Sequence, residues 1–198
     1  TGARGNYSFA VGQNTTASGN YSVAFGRNTE ATASYATAWG QSTKAIGFYA
    51  TAWGNGTEAT GINATAWGND TKATDYYTTA FGDGTQATNN YATAWGRSST
   101  ASGSYSTAFG RNTEATASYA TAWGLNTEAT NNLATAWGNN TEATGDSATA
   151  WGESAIASAS YSTAFGFNTG AESFGQTTIG TYNTTQTGDA HSIVAGDR

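Results

Sequence analysis

Small and apolar positions recur along this chain every 14 residues, and inside each recurrence they alternate with polar ones. Gly12, Gly26, Gly40, Gly54, Gly68, Gly82, Gly96, Gly110, Gly124, Gly138, Gly152, Gly166 and Gly180 mark the period without a slip. All seven tryptophans stand immediately before one of these glycines. A strict period this short means one structural unit stacked on itself, not a globular domain with a single interior.

Residues 118–131 illustrate the unit. In the first half, Ala120, Ala122 and Gly124 fall on one face and Tyr119, Thr121 and Trp123 on the other. Such alternation, with aromatic and β-branched members, predicts a strand. The second half predicts a shorter strand around Thr127, Glu128, Ala129 and Thr130, with Ala129 facing opposite to Glu128 and Thr130. Between the halves lie Gly-x-Asn and a corner of small residues, both with turn chemistry. Fourteen residues less two corners leave two strands of about five residues each. Neither the spacing nor the Thr and Gly content favours helix.

A coil this flat has almost no interior, and Ala, Ser and Gly are expected to fill it. Ala stands two before the glycine in twelve turns, from Ala10 to Ala164, and five after it in twelve, from Ala17 to Ala171. The large rings must then stack outside, one above the next at about the 4.8 Å strand spacing. That column is Val11, Phe25, Trp39, Trp53, Trp67, Phe81, Trp95, Phe109, Trp123, Trp137, Trp151, Phe165 and Ile179. Two residues earlier, Phe9 and Val23 give way to Thr at every turn from Thr37 onward. Rings that each bury about 150–250 Å² add to roughly 2,000 Å² of apolar surface, whereas soluble monomers rarely expose more than a few hundred. The column is therefore expected to be a self-association seam in a parallel bundle, of either two or three chains.

The opposite wall reads as solvated. Four residues after each glycine stand Thr16, Glu30, Lys44, Glu58, Lys72, Gln86, Thr100, Glu114, Glu128 and Glu142. Alternating signs from Glu30 to Lys72 favour the register, while Glu114, Glu128 and Glu142 stack like charges. Two positions on runs a hydroxyl column that includes Thr116, Thr130 and Thr144.

Composition narrows the function classes. The net charge is −6 and only 10% of residues are charged, a poor basis for nucleic-acid binding. Disorder is opposed by 13% aromatic residues held at fixed positions. There is no Cys, Pro or Met, and one histidine, His191, outside the regular array. Absence of Cys removes disulfides and thiol chemistry without fixing the compartment. No apolar run approaches the ~20 residues of a membrane span, and no signal-peptide pattern is present. A start in mid-repeat leads us to expect an excised fragment, with anchor and secretion signal elsewhere. Acids spread by the repeat, with no cleft, predict no catalytic residues, no metal site and no cofactor.

Motifs such as Ser22-Val23-Ala24-Phe25-Gly26 and Ala134-Thr135-Ala136-Trp137-Gly138 resemble the YadA-like head repeats of trimeric autotransporter adhesins. The resemblance spans residues 5–180. It implies an all-β, left-handed parallel β-roll of about 13 turns, three chains packed side by side, and the Trp/Phe column at the trimer axis. Where the family usually carries Val and Ile, most turns here carry Thr and Trp, and Trp layers alternating with Thr layers would be one way to pack them. Residues 1–180 are expected to form the repetitive head, about 60 Å long at the usual spacing, and residues 181–198 an irregular final turn or the lead into a neck or stalk.

The implied function is a non-enzymatic adhesin head at the cell surface, anchored in the outer membrane through segments absent here. It would make multivalent contact with host matrix, cells or abiotic surfaces. Glu114, Glu128, Glu142, Thr116, Thr130 and Thr144 are the candidate ligand-facing residues, with the Tyr column (Tyr7, Tyr21, Tyr35, Tyr49, Tyr77, Tyr91, Tyr105, Tyr119, Tyr161) as interface rim or a second ligand-facing set. The alternative is a structural fibre or spacer, such as part of a phage tail fibre. Ice binding by the Thr ladder is opposed by the neighbouring Glu and Lys, and a Trp carbohydrate platform by the aggregation such a ladder would cause. The three-Glu column lacks the converging oxygens of a cation site. Asn28, Asn112, Asn126, Asn140 and Asn168 read as turn formers.

Overall fold

Alternation in Thr-Ala-Trp-Gly-x makes a strand whose Ala points inward and whose Thr and Trp point out. In the computed structural model this strand recurs thirteen times among the described residues, and within each unit it pairs in parallel with the equivalent strand 14 residues on. The structure describes residues 2–183 and the backbone of 193–195. They form an all-β parallel β-solenoid in two compact units, residues 1–98 and 99–198.

In the first unit, seven five-residue strands, from Phe9–Gln13 to Thr93–Arg97, form one wall. Seven two-residue strands, from Gly2–Ala3 to Gln86–Ala87, form the other. In the second unit, six long strands run from Thr107–Arg111 to Thr177–Thr181 and six short ones from Thr100–Ala101 to Gly170–Ala171. Ile193–Ala195 adds a further strand parallel to Thr177–Thr181, with Thr177 opposite Ile193. The rest of the expected irregular tail, His191 included, lies outside the described residues. The two walls are thus unequal, not the equal five-residue strands expected from spacing. Extra residues go into the corners, where the chain must reverse.

Each corner is built on a residue in the left-handed region. One, two residues after the periodic glycine, holds Asn14, Asn28, Ser42, Gly56, Asp70, Asn112, Asn126 or Asn140, with φ of 49–66°. Asn tolerates this conformation, and its carboxamide also bonds the next turn: Asn112 Nδ2 donates to Asn126 Oδ1 at 3.0 Å, and Asn126 Nδ2 to Asn140 Oδ1 at 2.9 Å. The other corner holds Tyr, as at Tyr35 (φ 62°) and Tyr119 (φ 60°). This corrects the expected placement of Tyr119 on the strand face with Thr121 and Trp123. The chain has not yet become extended at Tyr119, and the strand begins at Thr121.

The periodic glycine is required twice over. Gly68 has φ 127°, and a Cβ there would run into the carbonyl oxygen of Gly82 on the next turn. Between the walls lie Ala columns such as Ala24, Ala38, Ala52 and Ala31, Ala45, Ala59, all essentially inaccessible. Threonine is inside as well, contrary to the expectation of Ala, Ser and Gly alone: Thr15, Thr29, Thr43, Thr57, Thr71, Thr85, Thr113, Thr127 and Thr141 are fully buried. Their methyl fills space beside Ala. Thr15 and Thr29 also donate their hydroxyls to Gly26 O and Gly40 O, at 2.8 and 3.0 Å. At the strand entrance Ser22, Thr78 and Ser106 donate to the carbonyl three residues back, at 2.6–2.7 Å, closing the corner.

Four substitutions test this interior. Gly68→Ala should destabilise the protein by about 3 kcal/mol in chemical denaturation, through strain and overpacking together. Gly84→Asn, at a left-handed corner (φ 64°) where a Cβ would meet only Ser98 at ordinary contact distance, should change stability by less than about 0.5 kcal/mol. Thr29→Val should lose about 1 kcal/mol with its hydrogen bond. Thr71→Val should be neutral or stabilising, because the buried Thr71 hydroxyl has no partner to lose.

Candidate functional site

Extended backbone puts the residue before the periodic glycine on the outer face of the long-strand wall, and register places each such ring over the next. In the first unit Trp39, Trp53 and Trp67 stack at 5.1–5.2 Å with interplanar angles of 7–8°. In the second, Trp123, Trp137 and Trp151 stack at 4.8 Å and 3°. Phenylalanine breaks each stack: Phe81 is tilted 58° to Trp67 and 67° to Trp95. Phe165 is tilted 43° to Trp151. A phenyl is one fused ring smaller than an indole, so the wall dips at these turns. An open depression of about 380 Å³ lies over Phe81, between Trp67 and Trp95, with Thr65, Thr79 and Thr93 at its sides.

These rings stay wet within one subunit. Trp39 and Trp95 are 50% exposed and Trp137 is 40% exposed. Val11, Phe25, Trp53, Trp67, Trp123, Trp151, Phe165 and Ile179 are exposed too, with Phe81 and Phe109 half-buried. Stacking covers roughly half of each ring, which halves the 2,000 Å² expected from full burial. On the order of 500 Å² of ring surface remains per unit, or 1,000 Å² in the chain. Each unit alone matches the largest apolar patch of a typical monomer.

The short-strand wall carries the acidic column. Glu114 lies opposite Glu128, and Glu128 opposite Glu142, in register and exposed. Partial burial raises the Glu128 carboxyl above its ordinary value, and the neighbouring Glu142 and Glu114 push it further. Thr116 and Thr130 are exposed and Thr144 half-buried, two positions along the same wall. The alternating stretch holds one ion pair, Lys44 Nζ to Glu58 Oε1 at 3.9 Å and largely solvated, so it contributes little. Among the described residues no group of His, Cys, Asp or Glu gathers as metal ligands.

The corner tyrosines stack as well. Tyr7, Tyr21, Tyr35 and Tyr49 stack at 4.8–5.2 Å and 4–14°. Tyr77 stacks on Tyr91, and Tyr105 on Tyr119, both at 5.1 Å. Sequence reasoning passed over a group beside the first ladder, the exposed Phe48, Ile62 and Tyr76. The signal was present: equivalent positions in other turns hold Asn20, Ser34, Asn90 and Ser104.

Because the folded state holds the Glu128 proton more tightly than the unfolded chain, its ionisation erodes stability as pH rises through the carboxylate range. Glu128→Gln should therefore be more stable than the parent at pH 7, by about 0.5 kcal/mol or less. The two melting curves should converge in acid, where both side chains are neutral.

The family model described as YadA head domain repeat (2 copies) matches residues 3–29, 17–43, 59–85, 73–99, 87–113, 101–127 and 143–169, covering 137 of the 198 residues. Each matched window spans two successive turns of the coil described above. No curated protein matches the chain. With its glycine period, its outward ring column and these windows, the chain belongs to the YadA head domain repeat family.

Proposed function

We propose that this chain is the head of a cell-surface adhesin, acting as a parallel homotrimer whose three long-strand walls face a common axis. The observation that carries the reading is the half-exposed column from Val11 to Ile179, in which tryptophan and phenylalanine expose apolar ring surface at turn after turn. Three copies turned inward would cover it. The small Thr beside each ring, as at Thr51, Thr65 and Thr121, leaves room for the rings of the two neighbouring chains.

The outward wall then makes the contacts. Glu114, Glu128, Glu142, Thr116, Thr130 and Thr144 stand on it in repeated rows, present three times in a trimer. Weak contacts to a matrix protein, a glycan or an abiotic surface add through avidity. The reading needs no catalysis and no cofactor. Residues 1–180 act as the head and 181–198 as an irregular final turn or the lead into a neck or stalk, with outer-membrane anchoring supplied by further segments.

Light scattering should give a solution mass three times the 20.2 kDa of one chain. Trp53→Glu combined with Trp137→Glu should reduce it to one chain, since each buries a charge in the seam, while circular dichroism keeps its β signal. A well-behaved monomer of the parent sequence at micromolar concentration would overturn the trimer. Trimers that fail to bind cells, matrix proteins or any tested surface would leave the spacer-fibre reading instead.

A further inference from the structure

The first tyrosine ladder is missing one ring. Tyr35 and Tyr49 stack at 4.8 Å and Tyr77 and Tyr91 at 5.1 Å, but the rung between Tyr49 and Tyr77 belongs to Asn63. The main chain there is unbroken. Asn63 has φ 56°, against 60° at Tyr49 and 55° at Tyr77. Its N–H donates to Phe48 O at 2.9 Å, and the Tyr77 N–H donates to Ile62 O at 2.9 Å. Only the ring is absent, so the Tyr49 and Tyr77 rings stand about two rungs apart, each without a stacking partner on its Asn63 side.

The side chains around this gap also depart from the repeat. Phe48, Ile62 and Tyr76 occupy successive turns at a position elsewhere filled mostly by Asn or Ser, and all three are exposed. Phe48 stands at 81° to Tyr35 and 85° to Tyr49. The Tyr76 ring is 51% exposed. Among the described residues the carboxamide of half-buried Asn63 and the hydroxyls of Tyr49, Tyr76 and Tyr77 form no hydrogen bond within the chain.

We infer that the gap at Asn63 is a binding slot for a neutral pyranose ring of an oligosaccharide, held between the Tyr49 and Tyr77 faces and against Phe48, Ile62 and Tyr76. A pyranose is an amphipathic disc. Its C–H faces meet the negative faces of aromatic rings, while its edge of hydroxyls needs the donors and acceptors that Asn63 and the tyrosine hydroxyls offer. The half-gap on each side, about 5 Å, lies within the centroid range of ring stacking. A puckered ring bearing axial hydrogens fills it better than a flat one.

Charge selects against acidic sugars: between residues 44 and 77, Lys44 and Lys72 are outnumbered by Glu58, Asp70 and Asp75. A group of six side chains is too small for a stable protein partner, which buries about 800 Å² on each side.

This names a ligand class for the attachment reading above and rests on it only for its biological use. The test is an array of neutral and acidic oligosaccharides probed with the 198-residue protein, with hits titrated by calorimetry. Neutral glycans should bind. Tyr49→Ala and Tyr77→Ala should each weaken binding about tenfold, the loss of one stacking partner, and Tyr161→Ala, far along the chain from the gap, should not. Asn63→Tyr restores the missing ring and should abolish binding while raising or preserving the melting temperature. An array with no neutral glycan bound, retention only of acidic glycans, or unchanged affinity in Asn63→Tyr would overturn the slot. A trimer that attaches to surfaces but binds no glycan would leave the adhesin reading intact and remove only this inference.

Discussion

Two walls of this coil lie so close that threonine is the largest side chain fully buried in the turns before Gln176, and a periodic glycine such as Gly68 lies against the carbonyl of the glycine one turn on. That tightness governs the rest. It excludes every indole and phenol from the interior, so the side chains with most apolar area are forced to the surface. It also makes stability a sum of small repeated contributions, namely Ala against Ala, a buried methyl from Thr, and a parallel ladder bond at each rung. A globular domain hides its aromatic residues in its own core; this one can hide them only against another surface.

Stacking identical turns converts each external position into a ladder, and the ladders differ in sign. Asn ladders bond rung to rung through carboxamides. Tyrosine ladders offset the cost of holding a bulky residue in the left-handed region, of order 1 kcal/mol per residue, by ring stacking of similar size. The Glu114, Glu128, Glu142 ladder works the other way, since register brings like charges together. Repetition therefore amplifies whatever a position does, favourable or not. Specific recognition belongs where the repetition is interrupted, because an unbroken ladder presents the same surface at every rung.

Ring substitutions interrupt the ladders in more than one way. Phenylalanine in place of tryptophan, as at Phe81, tilts the ring and opens a dip in an otherwise stacked wall. Asparagine in place of tyrosine, at Asn63, removes a ring while the backbone continues. Neither disturbs the coil, since both lie outside it. This separation lets a family keep one interior and vary its surface.

The sequence alone determined the period, the strand that ends in Ala-Trp-Gly, the alanine interior and the outward direction of the rings. Each of these follows from a two-residue alternation repeated thirteen times. It did not reveal that the second strand is only two residues long or that threonine is interior. Nor did it reveal that Tyr119 belongs to a corner and not to the strand face. Those depend on backbone dihedrals at the corners, which local alternation does not encode: Tyr in the left-handed region reads as a strand residue until its neighbours one turn away hold it there. Which rings stack flat, which tilt, and where a rung is missing were decided only when the chain wound back on itself and placed residues 14 apart in contact.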